Sequence, residues 1–349
     1  MEITSFAVDL AKNKFQVHGF DARGDRQVGK TIRRKEFLPF FEHRAGRCEV
    51  VMEACGGAHH WGRRLLALGY RVRLIPAQFV TPFVIGNKTD RNDADAIYEA
   101  SQRPKVRSVP VKRIEQQDAL LVHATREQWV KMRTALVNQI RGELAERGIV
   151  YGIGVATLRA GVRELLASEC SGELTGLFQQ WLRQRQADWR GFDERIAACE
   201  QQMRVHVQTD PVCQQIGEVE GIGLITASAT VALVGDARQF RSSRHLASWL
   251  GVTPKEKSSG EKRRLGGLTK RGDIYLRKLF VHGARAVVQA VSRKIKMAKP
   301  LNERERWVYA LVTRRGYNKA CVAVAAKNAR IVWALLTTGE AYRPATIAT

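Results

Sequence analysis

The hydrophobic period changes once along this chain, between Pro104 and Pro110, and that change confines the fold to an α/β part followed by a helical part. Before it, short apolar runs alternate with one helical pattern. A strand is predicted from Ile3 to Leu10 and a second from Phe15 to Phe20, and the short Ala-Lys-Asn-Lys link between them makes a hairpin. Cys48 to Met52 reads as a buried strand, Gly56-Gly57 as a turn, His59 to Leu68 as a helix and Tyr70 to Ile75 as a returning strand. That is a βαβ unit, so the sheet is mixed. Past a loop through Pro76 and Pro82, Thr89 or Asp90 can cap a helix running through Asp93, Ala96 and Ile97 to Ala100.

Beyond the prolines the apolar spacing lengthens. Leu120, Leu121, Ala124, Val130, Val137, Ile140 and Leu144 recur at three and four, which marks one long amphipathic helix over Gln116 to Arg147. A second runs from Leu177 to Val207, with Phe178, Trp181, Leu182, Trp189, Phe192, Ile196 and Met203. Two such helices around a Gly-containing loop predict an antiparallel hairpin or a coiled-coil arm able to pair protomers, in which Trp181 and Trp189 serve as core or interface side chains. Asp210-Pro211 ends this stretch, and the C-terminal region reads as almost wholly helical. With 349 residues the chain needs more than one core. The expected division is an α/β domain over 1–110, a long-helix dimerisation region over 111–208 and a basic helical domain over 209–349.

Charge narrows the partners. Lys and Arg number 58 against 34 Asp and Glu, a net +24, while 44% of residues are apolar, so the chain is expected to fold and to meet a polyanionic partner, the plainer alternative being a solvated basic surface. Residues 251–330 hold 21 basic and 5 acidic side chains, net +16, which concentrates the excess toward the C-terminus. The six cysteines show no CxxC pair and no zinc-like spacing with His, so neither disulfides nor structural zinc is expected and a reducing cytoplasm fits. Ile222 to Val234 is the most apolar run and falls short of the roughly 20 residues a membrane span requires, so no membrane partner is expected. Nor does the N-terminal stretch, acidic from its second residue, resemble a secretory signal.

Four carboxylates fall where this map would gather them: Asp9 on the first strand, Glu53 at the end of the βαβ strand, and Asp90 with Asp93 on one face of a helix start. Each alone could be an ordinary cap or surface acid. Asp9 differs, because it follows Phe6-Ala7-Val8 in an apolar strand and would otherwise be a buried unpaired charge. Clustered carboxylates repel unless cations neutralise them, and an all-oxygen donor set suits Mg²⁺ or Mn²⁺, the ions of phosphodiester chemistry. Asp95, two residues from Asp93, lies off that face.

In the C-terminal part, Val219-Glu220-Gly221-Ile222-Gly223 before an apolar helix suggests a helix-hairpin-helix turn whose backbone amides could grip a phosphate, or simply a tight turn. Phe240 to Leu250 supplies a short helix ending at Gly251. A polar loop follows, from Gly251-Val252-Thr253-Pro254 through Lys255, Lys257, Ser258 and Ser259 to Gly260, and it leads into Lys262-Arg263-Arg264 and Lys270-Arg271. A hydroxyl among cations can attack a phosphate, although most Ser-Ser-Gly strings are plain linkers.

Val8-Asp9-Leu10-Ala11-Lys12, Met52-Glu53-Ala54 and above all Asn87-Lys88-Thr89-Asp90-Arg91-Asn92-Asp93-Ala94 resemble the insertion-sequence-110 family of transposases, the DEDD recombinases, within the RuvC-like branch of the RNase H fold. The C-terminal strings resemble it too: Gly251 to Pro254 is similar to its Gly-x-Thr-Pro motif, and Lys270 to Arg277 is similar to its Lys-x-Gly-x-x-x-Leu-Arg pattern. The resemblance implies Asp9, Glu53, Asp90 and Asp93 as catalytic metal ligands and Ser259 as nucleophile, with Ser258 its rival. It further implies donor and target DNA, a structured non-coding bridge RNA as guide, and a composite centre shared between protomers of a dimer or tetramer. Nucleic-acid contacts are expected from Lys88, Arg91, Gly221, Gly223, Lys255, Lys257, Lys262, Arg263, Arg264, Lys270, Arg271 and Arg277. Such a protein works in the bacterial cytoplasm, at the nucleoid. Two other readings stand beside it: a RuvC-like nuclease in which metal-activated water cuts, and a non-enzymatic nucleic-acid binder with structural acids.

Overall fold

The computed structural model describes residues 2–44, 48–86, 89–167, 174–259, 262 and 264–344. The chain forms two compact units, Met1–Glu115 and Gln116–Thr349.

In the first unit the strands β1 (Ile3–Leu10), β2 (Lys14–Asp21) and β3 (Arg26–Arg33) form an antiparallel meander. Helix α1 (Phe37–Glu42) leads to β4 (Glu49–Glu53), α2 (Ala58–Ala67) and β5 (Arg71–Ile75), followed by the single turn α3 (Ala77–Val80) and by α4 (Asp90–Ser101). The sheet order is β3-β2-β1-β4-β5, with β4 parallel to both β1 and β5. Strand β1 is therefore central and covered on both faces, which is why its middle reads as a continuous apolar run. Phe6, Val8, Val50 and Met52 face one core with Phe37, Phe41, Trp61 and Leu65 of α1 and α2. Ala7, Val51 and Ile75 face the other, with Ile97 and Ala100 of α4.

Both β3 and α1 escape the sequence reading. Strand β3 lies at the sheet edge with only Ile32 buried, and its cationic residues guard that edge rather than marking a strand. Helix α1 is one short turn and a half whose aromatic cluster carries no period.

In the second unit α5 (Ile114–Ala145) and α7 (Gly176–Thr209) run antiparallel, as their ties show: Arg126 donates to Glu200 at 2.8 Å, Arg133 to Asp193 at 2.9 Å, and Arg147 covers the Phe178 ring at 3.7 Å. The expected loop between them instead contains α6 (Val155–Ala167). Leu158 and Val162 of α6 join Ile140, Leu144, Leu182 and Trp189 in a separate core. Trp189 and the half-buried Trp181 are thus packing residues. The main core belongs to α8 (Pro211–Gly217), α9 (Leu224–Val234), α10 (Ser243–Trp249), α11 (Ile274–Lys296), α12 (Glu303–Arg315) and α13 (Tyr317–Thr338). Helix α13 is long and apolar enough to cross a membrane, yet Cys321, Val324, Ala325 and Val332 are buried in this core. Among the described residues of the C-terminal region, expected to be almost wholly helical, β6 (Pro254–Glu256) and β7 (Leu265–Leu268) pair as an antiparallel hairpin where a loop was expected.

Candidate functional site

The pleat of β1 and β4 decides where the acids point. Ala7 lies beside Val51 and Val8 beside Met52 across this parallel pair, and side chains alternate between faces. Two residues beyond Ala7 and Val51, Asp9 and Glu53 therefore project on the α4 face, on neighbouring strands about 4.8 Å apart. That face meets the first turn of α4, which carries Asp90 and Asp93 and is capped by Thr89, whose hydroxyl accepts from the Asn92 amide at 3.3 Å. A helix N-terminus carries partial positive charge, so it tolerates anions better than most places would. Asp9, Glu53 and Asp93 line one cleft of about 530 Å³ together with Cys55, Thr81 and Gly86, while Asp90 is exposed, outside that lining yet near enough for its charge to act on Asp9.

Burial pushes the Asp9 carboxyl up to about 6, and the charges of Asp93, Asp90 and Glu53 push in the same direction. A carboxylate so disfavoured is what a cation would relieve. All four donors are oxygens, a set that fits Mg²⁺ or Mn²⁺, although the ligand atoms of no three of them lie within 4.8 Å of one another. Cys55 and Thr81 reach the cleft without any sequence signal, because a turn and the single 3-10 turn Thr81–Phe83 bring them there.

Asp95 belongs elsewhere, as its spacing indicates. It accepts from Arg26 at 3.0 Å and pairs at 2.6 Å with Nδ1 of the fully buried His18. His206, Asp210 and Cys213 do bring ligand atoms within 4.8 Å. Asp210, however, caps α8, accepting from the Val212 and Cys213 amides at 2.8 and 3.1 Å, and burial with this carboxylate nearby pushes the Cys213 thiol up to about 12. We read that group as a helix cap over a core thiol.

The second constellation lies on the β6–β7 hairpin. Ser258 and Ser259 are both exposed. The Ser258 hydroxyl is engaged, donating to Glu256 at 2.9 Å and accepting from the Arg264 amide at 3.3 Å. Ser259 forms a backbone bridge with Lys262, whose amide donates to its carbonyl at 3.3 Å. Lys255, Lys257, Lys262, Arg264, Lys270 and Arg271 are exposed on or beside the hairpin, and Arg91 is exposed in the first turn of α4. Lys88 and Arg263 lie outside the described residues. Arg277 is different: it is half-buried and bonds two backbone carbonyls. Gly221 turns at φ +89° against the Gly283 carbonyl of α11, and exposed Gly223 precedes α9, whose first amides no side chain caps.

Comparison with known proteins bears on both constellations. Residues 213–298 match the transposase family described as IS116/IS110/IS902, and residues 6–147 match the DEDD transposase family of the IS110 type. A probable family 20 transposase of Pseudomonas aeruginosa is 44% identical over 99% of this chain and 100% of its own length. The transposase for insertion sequence element IS1111A of Coxiella burnetii is 40% identical over 98% of this chain and 92% of its own. The transposase for insertion sequence element IS1328 of Yersinia enterocolitica is 33% identical over 97% and 98%.

Proposed function

Because the chain belongs to the IS110 family of insertion-sequence transposases, we propose that it cuts and rejoins DNA with the acidic cleft of its RuvC-like first unit and the Ser259 hydroxyl of its second. The observation that carries this reading is the convergence of Asp9, Glu53 and Asp93 on one cleft, with Asp9 held near 6. Asp9, Glu53, Asp90 and Asp93 would hold Mg²⁺ or Mn²⁺, which when bound supplies charge neutralisation at the scissile phosphate. In the serine step the Ser259 oxygen forms the new bond to phosphorus as a DNA oxygen leaves, and the surrounding cations offset the added negative charge. Lys255, Lys257, Lys262, Arg264, Lys270 and Arg271 hold the backbone of the strand near it, with Lys88, Arg91 and Arg263 as further contacts. Gly221 and Gly223 offer backbone amides to a phosphate.

Family membership extends the proposal further. Donor and target DNA are paired by a non-coding guide RNA, and the acidic cleft of one protomer works with the serine of another in a dimer or tetramer in the bacterial cytoplasm. RNA recovered with the protein from cells carrying its native element should contain one dominant structured species from that element; random cellular RNA alone would remove the guide from the proposal.

The deciding experiment for the chemistry is trapping. Wild-type protein should yield a protein–DNA adduct that survives denaturant, and Ser259→Ala should yield none while binding nucleic acid as before. An unchanged adduct in Ser259→Ala with loss in Ser258→Ala would transfer the role to the neighbouring hydroxyl. Cleavage with no adduct at all would leave metal-activated water as the nucleophile.

A further inference from the structure

The hairpin that carries Ser259 stands on two feet, residues 249–251 before β6 and 270–273 after β7, and the contacts between them are unusually close. A Cβ at Gly272, where φ is +83°, would lie 1.7 Å from the Trp249 carbonyl oxygen, and one at Gly251, at φ +71°, would lie 2.2 Å from that of Arg271. Only glycine allows either backbone to come so near in that conformation. A backbone bond joins the same feet, Lys270 donating to the Gly251 carbonyl at 3.3 Å, and next to it Thr269 donates to that of Thr253 at 3.0 Å. Between them Lys270 itself takes φ +55°, in the region non-glycine residues seldom occupy, so the contacts around it hold a conformation it would not choose alone.

Arg277 closes this base. Its Nη1 donates to the Leu250 carbonyl at 3.3 Å on one foot and to the Arg271 carbonyl at 3.0 Å on the other. It can reach both because Asp273 caps α11, its carboxylate accepting from the Leu276 amide at 2.7 Å, and so sets the register of the first helical turn. Leu276, beside it, is fully buried in the main core and fixes that turn to the rest of the unit. A guanidinium with two carbonyl acceptors has a fixed geometry, whereas a phosphate-binding cation needs its donors turned to solvent.

We infer that Arg277 is a positioning residue that clamps the feet of the serine hairpin to α11, and that Gly251 and Gly272 are shaped by this clamp rather than by contact with nucleic acid. This rests on the reading of Ser259 as nucleophile only for its effect on recombination; the mechanical part stands on the contacts alone. The string from Lys270 to Arg277 then divides its labour. Lys270 and Arg271 present exposed cations, while Gly272, Asp273, Leu276 and Arg277 build the base beneath them.

The test uses the full chain in two assays. Recombination is counted from a plasmid carrying the whole native element, altered at one codon, and hydrogen exchange is followed at the amides of residues 254–268 in purified protein. Arg277→Ala should lower recombination by about 100-fold, the loss that a displacement of order 1 Å can cause. Its hairpin amides should exchange about tenfold faster. Arg277→Lys, keeping a cationic nitrogen able to donate but not the planar fork, should recover part of both. Affinity for a random-sequence DNA duplex, and its salt dependence, should stay as in wild type. A hairpin that exchanges normally in Arg277→Ala, or a loss confined to duplex affinity with a shallower salt slope, would overturn the clamp.

Should Arg277→Ala fail to fold, Gly272→Ala opens the same feet without touching the guanidinium and should loosen the same amides; protection unchanged there would overturn the clamp equally. Ser259→Ala separates the two ideas: full recombination in that variant would remove the serine from the chemistry, while the exchange data would still decide the clamp.

Discussion

Asp9 is a side chain that the fold holds at a cost, one that the proposed metal would relieve. Its carboxyl is held at about 6, above the unfolded value of 3.8, so the folded state binds a proton more tightly than the unfolded one between those values. Stability of the metal-free protein should therefore fall as pH rises through that window and stay reduced above it. Replacing Asp9 by Asn removes the charge at nearly constant shape. At pH 8 and without divalent ions, Asp9→Asn should melt higher than wild type, by about 1 kcal/mol in stability once solvent screening of a half-buried group is allowed for. Addition of Mg²⁺ should raise the melting temperature of wild type but not of the variant, because metal stabilises in proportion to its binding. Equal metal-induced shifts in both proteins would separate Asp9 from the metal. Sequence alone indicates the position, since an acid after Phe6-Ala7-Val8 needs a partner. It does not supply the size of the pKa shift, which depends first on the burial of Asp9 and then on Asp93, Asp90 and Glu53 coming near from separate segments.

Among elements, α4 does most to complete the cleft, and its placement depends on small residues. Ala94, Ala96 and Ala100 are buried with Ile97, which lets the helix lie close to Ala7 and Val51 of the sheet. A polar tie at Asp95 fixes its rotation, reaching His18 of β2 and Arg26 of β3. Removing it in Asp95→Ala leaves the buried His18 nitrogen without its acceptor and should cost about 1 to 3 kcal/mol in denaturant unfolding. If the rotation matters to Asp93, the concentration of Mg²⁺ needed for half-maximal stabilisation should rise as well. A stability loss with unchanged metal dependence would confine Asp95 to packing. Elements with a strong period or a capped start were legible: β1 agrees at both ends with the apolar run, and α5, α7 and α4 fall within a few residues of their apolar patterns and Thr89 cap. The rest lacked such signals. Edge strand β3 buries one residue, α6 spans only three or four turns beside a longer pattern, and β6 and β7 are short and mostly exposed, β7 with two glycines at its centre, held by feet whose glycines meet only after folding.

For the whole molecule, the net +24 matters through its distribution rather than its sum, because a polyanion responds to cations it can reach. Several cations of the second unit are already committed: Arg304 is buried and donates to Glu220 and Asn328, Arg133 pairs with Asp193, and Lys294 pairs with Glu305 at 2.6 Å. Those on the hairpin remain exposed beside Ser259. Binding to phosphates releases counterions, so the slope of log affinity against log salt counts contacts, at about 0.9 for each in duplex DNA. Combined replacement of Lys255, Lys257 and Lys262 by Ala should then lower the magnitude of that slope by about 2.7 if all three touch phosphate. The measurement is fluorescence anisotropy with a random-sequence duplex across a salt series, and the same substitutions at Arg133, Arg304 and Lys294 provide the contrast. Loss of those paired cations should disturb folding and leave the slope of any folded variant nearly unchanged. A slope that falls equally in both sets would mean that the chain attracts DNA by its overall field, and the hairpin would lose its claim to hold the strand near the serine.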